Sequence, residues 1–167
     1  MHIRAERQDD VPAVRAVNVA AFETSAEADL VDLVRERASP IISLVADDDG
    51  AVVGHILFSP VTLEGHPEVR VAGLAPMAVV PSRQHQGIGS LLVHEGLATC
   101  RQLGFGAVVV LGHADFYPRF GFTPSTRFGL RSEYDVPEDV FMALEFEGGV
   151  LRGKSGTIRY HPAFGTA

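Results

Sequence analysis

Apolar residues in the first 40 positions recur every three to four residues, the spacing of one buried helix face. The alternating segment His2 to Glu6 predicts a short strand before them. Asp9 or Asp10 offers an N-cap for a first helix ending near Phe22, and Ser25 offers one for a second. The two apolar stripes comprise Val11, Val14, Val17, Ala21 and Phe22, then Leu30, Leu33 and Val34.

Apolar, partly β-branched segments follow, separated by turn sequences. Residues 41–46 and 51–61 predict two strands joined by a turn in which Gly50 takes a left-handed conformation. Residues 69–80 predict a third strand, which Pro76 interrupts. Because proline has no N–H to donate, we expect an edge, a bulge or a loss of pairing there.

The helix after this strand has the clearest apolar face in the chain, and Gly96 on that face permits close approach to a sheet. The face comprises Gly89, Leu92, Val93, Gly96, Cys100 and Leu103. Residues 106–112 then predict a buried strand, and residues 141–146 and 157–160 predict late strands. Helices placed between runs of strands indicate a mixed α/β (α+β) fold, and residues 1–167 are interpreted as a single domain.

Composition narrows the class of protein. The chain is 46% apolar with a formal net charge of −7, and its single cysteine, Cys100, excludes an internal disulfide and a cysteine metal cluster. No apolar run approaches the length of a membrane span and no signal-peptide pattern is present, so we expect a cytoplasmic protein. Residues 1–50 carry eleven acidic residues against five arginines. This balance argues against a nucleic-acid or membrane partner and suits a cationic one, although solubility alone also explains it.

Gly87 and Gly89 lie between the interrupted strand and the clear helix. Unshielded amides at a helix N-terminus bind phosphate, and a Cβ would block close approach of the backbone. The segment lacks the Gly-Lys-Ser/Thr of a P-loop, and Leu92 stands where G-x-G-x-x-G needs its third glycine. On the glycines alone, a phosphate site and a tight turn without a ligand both stay open.

A longer pattern is more specific. Residues 84–89 fit Gln/Arg-x-x-Gly-x-Gly/Ala, and "MAVVPSRQHQGIGSLLV" followed by "LGHADFYPRFGF" resembles the acetyl-CoA core of the GCN5-related N-acetyltransferase (GNAT) superfamily. "GHILFSPV" and "GLAPMAVVP" are most similar to its YhbS-like branch of predicted acetyltransferases. The order of elements matches along nearly the whole chain. The resemblance implies the GNAT fold, a central and mostly antiparallel sheet with a splayed cofactor strand, flanked by helices.

The resemblance also implies acetyl-CoA as co-substrate, with no metal. The turn amides would hold the pyrophosphate, and the strand before the turn would pair with the pantetheine arm. The cofactor-binding residues so implied are Met77, Ala78, Val79, Gln84, His85, Gln86, Gly87, Ile88, Gly89, Ser90 and Tyr117. An unpaired amide near Met77 or Ala78 suits stabilisation of the oxyanion.

Acetyl transfer to an amine needs a base for the ammonium and benefits from a donor for the departing thiolate. Tyr117 matches the family's general acid, although it also fits an aromatic cluster with its neighbours. Glu27 is the candidate base or an exposed helix carboxylate. His113 contacts pantetheine, relays a proton or is an ordinary strand-end histidine. Cys100 lies on a buried stripe, which favours direct transfer over an acyl-cysteine.

We therefore expect an acetyl-CoA-dependent N-acetyltransferase acting on a primary amine. The acidic first third suits a cationic acceptor such as a polyamine, an aminoglycoside or a protein N-terminus. The alternative is a non-catalytic acyl-CoA-binding sensor or regulatory module. Self-association through the late strands, giving a homodimer, is common in the family fold, and nothing in the sequence establishes it.

Overall fold

The computed structural model describes residues 1–166, so the last residue of the predicted domain, Ala167, lies outside the described residues. The strands are β1 (His2–Ala5), β2 (Ile42–Asp48), β3 (Ala51–Leu63), β4 (Val71–Val79), β5 (Ala107–Leu111), β6 (Thr123–Pro124), β7 (Leu130–Ser132), β8 (Phe141–Glu145) and β9 (Gly156–Arg159). The α-helices are α1 (Val11–Phe22), α2 (Ala26–Arg37) and α3 (Ile88–Gln102). Every helix and strand expected from the sequence pattern is present.

The strands form one sheet in the order β1-β2-β3-β4-β5-β8-β6, while β9 pairs with both β3 and β7. Each pair is antiparallel except β4 with β5 and β7 with β9. A parallel pair needs a crossover connection, and α3 supplies it between β4 and β5. The predicted mixed, mostly antiparallel fold is confirmed.

Helices cover both faces of the sheet. Helix α3 packs on one face with the apolar side chains of β2 to β5, and α1 and α2 pack on the other. A Cβ built on Gly96 would lie 2.3 Å from Cε1 of the buried Phe58 ring, so the predicted close approach of α3 is confirmed. This contact fixes α3, and therefore the turn at its N-terminus, against the sheet.

The feature that shapes the site is the departure of β4 from β5. Opposite β4, Ile56 pairs with Met77 and Phe58 pairs with Leu74, so two residues, Ala75 and Pro76, face one residue of β3. This is a β-bulge. Pairing with β5 covers only Val71 to Leu74. The predicted interruption at Pro76 is confirmed, and beyond Leu74 no strand pairs with β4 on its β5 side within residues 1–166.

The structure differs from expectation in its short elements. Ser25 precedes α2, but its side chain makes no capping hydrogen bond. The hydroxyl of Thr24 accepts one from the Ala26 N–H instead, at 3.3 Å. Strands β6 and β7 span only two and three residues, too few to show a period in sequence. Among the residues that are described, no helix combines the length and hydrophobicity needed to cross a membrane.

Candidate active site

A groove of about 970 Å³ opens where β4 and β5 separate. It runs from the glycine turn before α3, along the free part of β4, to the N-terminal helices and the C-terminal 3-10 turn Pro162–Thr166. Most of the residues predicted for the site line it, namely Glu27, Met77, Val79, Gln84, His85, Gly87, Ile88, Gly89, Ser90, His113 and Tyr117. The fold therefore gathers candidates from distant parts of the chain into one cavity.

The glycine turn presents open backbone donors. Its first intrahelical hydrogen bond runs from the Leu91 N–H to the Gly87 carbonyl, at 3.1 Å. The N–H groups of Ile88, Gly89 and Ser90 precede that bond and have no intrahelical acceptor. His85 and Gly87 both have a positive φ, 63° and 86°. Left-handed residues alternating with others curve the backbone into a concave anion site, at the positive end of the helix dipole.

The two glycines are not required by packing inside the protein. A Cβ built on Gly89 would lie 3.5 Å from Cε of Met77 and 3.7 Å from Cζ of Phe116, ordinary contact distances. No described residue has an atom within 4 Å of a Cβ built on Gly87, where the positive φ itself favours glycine. The missing side chain of Gly89 therefore leaves room in the groove, as a backbone cradle for phosphate requires.

Neighbouring side chains hold the turn in place. Ile88 is buried, and its Cγ2 would lie 3.1 Å from a Cβ on Gly54 of β3. Gln84 donates from Nε2 to the carbonyl of Val79 at 3.0 Å, tying the turn to β4. The side chain of Gln86, in contrast, accepts a hydrogen bond from Arg83 at 3.1 Å, and Gln86 is not among the residues that line the groove.

The hydrogen-bonding pattern between β4 and β3 decides which backbone amides of β4 face the groove. Val80 donates to the carbonyl of Val53 at 3.0 Å. Because antiparallel ladders alternate every second residue, Ala78 bonds to its partner on β3, while the backbone groups of Met77 and Val79 point away from β3. That is the side left open by β5. Of the two predicted oxyanion amides, Met77 therefore faces the open edge and Ala78 does not, a correction to the expected set; Ala78 is also absent from the groove lining.

Tyr117 lies in the 3-10 turn Tyr117–Phe120 after β5 and is 7% exposed. Its ring covers the backbone of Gly112, where a Cβ would lie 2.2 Å from Cε2. It also makes edge contacts with Phe116 and Phe122, with ring centroids 5.0 and 5.7 Å away. Burial raises the pKa of the phenol to about 12, so it is protonated at neutral pH. Tyr117 therefore packs in an aromatic cluster and also lines the groove, so the two roles expected for it are compatible.

Glu27 and His113 approach the groove from opposite sides. Glu27 is half-buried in the first turn of α2 and accepts a hydrogen bond from the Thr24 hydroxyl at 3.3 Å. His113 is exposed just after β5, and its carbonyl accepts the N–H groups of Phe116 at 3.1 Å and Tyr117 at 3.4 Å. His113 therefore supports the turn that carries Tyr117. In the described part of the chain, no group of three or more His, Cys, Asp or Glu side chains could hold a metal ion.

Two other residues whose side chains often take part in catalysis, a histidine and a cysteine, lie away from the groove. His55 is fully buried, hydrogen-bonded to Ser43 Oγ at 2.8 Å and to Asn18 Nδ2 at 3.3 Å. Desolvation lowers the pKa of this imidazole to about 3, so it is neutral. Burial raises the pKa of the Cys100 thiol to about 12, so this cysteine is an unreactive core residue.

The groove also contains residues that sequence reasoning missed. Arg83 and Arg119 lie near the glycine turn, and Asp115 and Phe116 follow β5. Other missed residues, all apolar, are Phe22, Leu30, Leu74, Leu111 and Phe164. Arg119 lies inside the motif "FYPRFGF", so the motif could have identified it as a residue of the groove. Phe22 and Leu30 were assigned to apolar helix faces, and periodicity cannot separate a groove wall from a core position.

A strand that leaves its neighbour beside a glycine-opened helix N-terminus suits an extended ligand that carries a phosphate group. The sequence matches the acetyltransferase (GNAT) family over residues 10–122, more than half of its length. The chain belongs to this family and is an acetyltransferase, as predicted.

Similar proteins cover the whole chain. Over 165 residues it is 38% identical to the uncharacterized N-acetyltransferase YhbS of Escherichia coli (strain K12), with 98% of both chains covered. The crystal structure of E. coli YhbS in complex with CoA has a TM-score of 0.92 at 36% identity, covering 98% of this chain and 91% of that one. A GNAT family acetyltransferase from Brucella melitensis, in complex with acetyl-CoA, has a TM-score of 0.81 at 38% identity, covering 98% and 97%.

Proposed function

We propose that this acetyltransferase binds acetyl-CoA in the groove and transfers the acetyl group directly to a primary amine. The observation that carries the proposal is the groove itself, in which open helix amides, an unpaired strand edge and a protonated tyrosine meet. The complexes of E. coli YhbS with CoA and of the Brucella protein with acetyl-CoA support the choice of co-substrate.

The pyrophosphate is held by the N–H groups of Ile88, Gly89 and Ser90, at the positive end of α3. The pantetheine arm lies along the open edge of β4 and pairs with the backbone of Val79 and with the carbonyl of Met77, which leaves the Met77 N–H for the acetyl group. An extended arm that adds to a free strand edge satisfies the edge's hydrogen-bonding groups. Arg119 adds positive charge at the phosphate end, whereas the charge of Arg83 is paired with Asp48 at 2.7 Å.

The reaction begins when the acceptor ammonium loses a proton, because only the neutral amine has a lone pair for attack. Glu27 takes that proton, directly or through a water molecule. The amine nitrogen then bonds to the thioester carbon, and the carbonyl oxygen becomes an oxyanion. The Met77 N–H, which points to the open side of β4, stabilises this charge.

The nitrogen of this intermediate still carries the extra proton and a positive charge, and it loses that proton to water as the C–S bond breaks and the thiolate of CoA leaves. Tyr117 donates a hydrogen bond to that sulfur. A free thiol has a pKa of about 8.5, so full transfer from a phenol of pKa about 12 is uphill. Tyr117 therefore stabilises the thiolate as a donor, and water supplies the final proton. His113 lines the groove next to this turn and contacts the pantetheine.

The first experiment is a calorimetric titration of the protein with acetyl-CoA, with ATP and NAD as controls. Gly89→Val should abolish acetyl-CoA binding, because a Cβ there meets only ordinary contacts inside the protein and the branched side chain would occupy the cradle. Gly148→Val is the matched control, since a Cβ at Gly148 has open space around it. Unchanged affinity in Gly89→Val would refute the pyrophosphate assignment.

Release of CoA thiol on addition of amines then tests turnover. A protein that binds acetyl-CoA and releases no CoA with any amine would be a binding module and not an N-acetyltransferase.

A further inference from the structure

The two ends of the groove differ in charge. At one end, the guanidinium of Arg119 stacks 4.9 Å from the ring centroid of Phe116, which in turn lies 3.7 Å from a Cβ built on Gly89. The cations of the groove therefore lie beside the glycine turn. Asp115, which precedes Phe116 in the chain, also lines the groove.

The opposite end is apolar. The Phe164 ring packs against Tyr160 at a tilt of 53°, with a centroid distance of 5.5 Å, and the Tyr160 ring lies 3.3 Å from a Cβ built on Gly73. Gly73 precedes Val79 by six residues, roughly 20 Å along an extended strand. Phe22 stands at this end with 37% of its surface exposed, although large apolar side chains are usually buried. Leu30 of α2 completes the wall.

Little negative charge reaches this end. Of the eleven acidic residues in positions 1–50, all within the described range, only Glu27 lines the groove. Six of the others pair with arginines: Asp10 and Asp47 with Arg4, Asp29 and Asp32 with Arg15, Glu6 with Arg35, and Asp48 with Arg83. Of the acidic N-terminal third, Glu27 is therefore the carboxylate that the groove lining contains among the described residues.

We propose, resting on the acetyl transfer proposed above, that the acceptor is a primary amine with one positive charge on an alkyl or arylalkyl body. Its ammonium lies at Glu27, and its apolar body packs between Phe22, Leu30 and Phe164. Burying that body against apolar side chains is favourable. A polyamine or an aminoglycoside would have to bring further ammonium groups against the same walls, where no second carboxylate compensates their desolvation.

The test compares amines of matched reach. Phenethylamine and hexylamine should give kcat/KM values at least about tenfold above spermidine and kanamycin, a difference typical of apolar pockets. Titration of phenethylamine into the CoA-saturated protein measures acceptor binding without turnover. Phe22→Ala should raise the KM for phenethylamine about tenfold, while acetyl-CoA affinity stays at the wild-type value. Val19→Ala, an exposed apolar residue of the same helix outside the groove lining, is the control.

A charge-adding variant sharpens the comparison. Leu30→Glu places a second carboxylate in the apolar wall and should shift preference from hexylamine toward 1,6-diaminohexane. Faster acetylation of spermidine or kanamycin by the wild-type protein would overturn the acceptor assignment and leave acetyl transfer standing. Phe22-dependent binding of phenethylamine without CoA release would instead support the apolar site and refute the transfer. Phenethylamine binding that Phe22→Ala leaves unchanged would also overturn the assignment.

Discussion

Replacing Tyr117 by Phe removes one oxygen from the groove and keeps the ring. The packing on Gly112, Phe116 and Phe122 involves ring atoms, so Phe preserves it. No hydrogen bond within residues 1–166 depends on the Tyr117 hydroxyl among those that the structure shows, so its removal leaves no partner unsatisfied. We therefore expect normal folding and acetyl-CoA affinity, with a specific loss in turnover.

The size of that loss follows from the protonation of the phenol. With a pKa of about 12, Tyr117 cannot hand its proton downhill to a thiolate, so its contribution is a hydrogen bond to a charged sulfur. Such bonds contribute about 1.5–3 kcal/mol. If the bond forms fully only as the thiolate leaves, kcat falls roughly 10- to 150-fold.

The assay measures CoA thiol release under saturating acetyl-CoA, with calorimetry for affinity and thermal unfolding for stability. Tyr134→Phe, a tyrosine outside the groove, is the matched control and should be silent. The phenol ionises, and stops being a donor, only as pH rises through about 12. The wild-type rate should therefore show no decrease from ionisation of Tyr117 below about pH 11. An unchanged kcat in Tyr117→Phe, or an alkaline limb near pH 9 to 10 that Tyr117→Phe abolishes, would refute this reasoning.

Three further outcomes are expected. Gly96→Ala forces a methyl group to 2.3 Å from the Phe58 ring and should lower the free energy of unfolding by about 1–3 kcal/mol in a urea titration; Phe58→Leu should restore part of the loss. Hydrogen bonding to Arg4 holds the pKa of Asp10 at about 2, below its unfolded value, so the ionised carboxylate stabilises the fold above about pH 4 and ceases to as pH falls toward 2. Asp10→Asn should therefore lower stability by about 1–2 kcal/mol at neutral pH, and the difference should shrink as pH falls to about 2 and be lost below it; a difference undiminished at about pH 2 would contradict the assignment. Cys100 should be unreactive toward a disulfide reagent in the native protein and contribute one thiol in urea, so that native thiol release reports CoA alone.

Local patterns were sufficient wherever one segment specifies its own conformation. The face of α3, with Gly96 and its partner residues, repeats at helical spacing over fifteen residues, and the structure places the helix there. Pro76 predicted a break because a missing N–H has the same consequence in any sheet. The glycine turn before α3 could be recognised for a similar reason, since φ values and free amides are properties of a few consecutive residues.

Features that depend on pairing between distant segments were not predictable in this way. Whether the Met77 or the Ala78 amide faces the groove depends on the phase of the β3–β4 ladder, and the bulge sets that phase. The apolar acceptor end joins Phe22 and Leu30 to Phe164, which periodicity cannot connect.

For charge too, the sequence determines one property and the tertiary structure another. Composition determined that residues 1–50 are acidic, and this number does not change on folding. Where the acidity acts was decided by folding, because Arg4, Arg15 and Arg35 come to lie beside five of the eleven carboxylates, while Glu27 lies in the groove. Net charge is a sum over residues, whereas the field at a site depends on distances that exist only once the chain has folded.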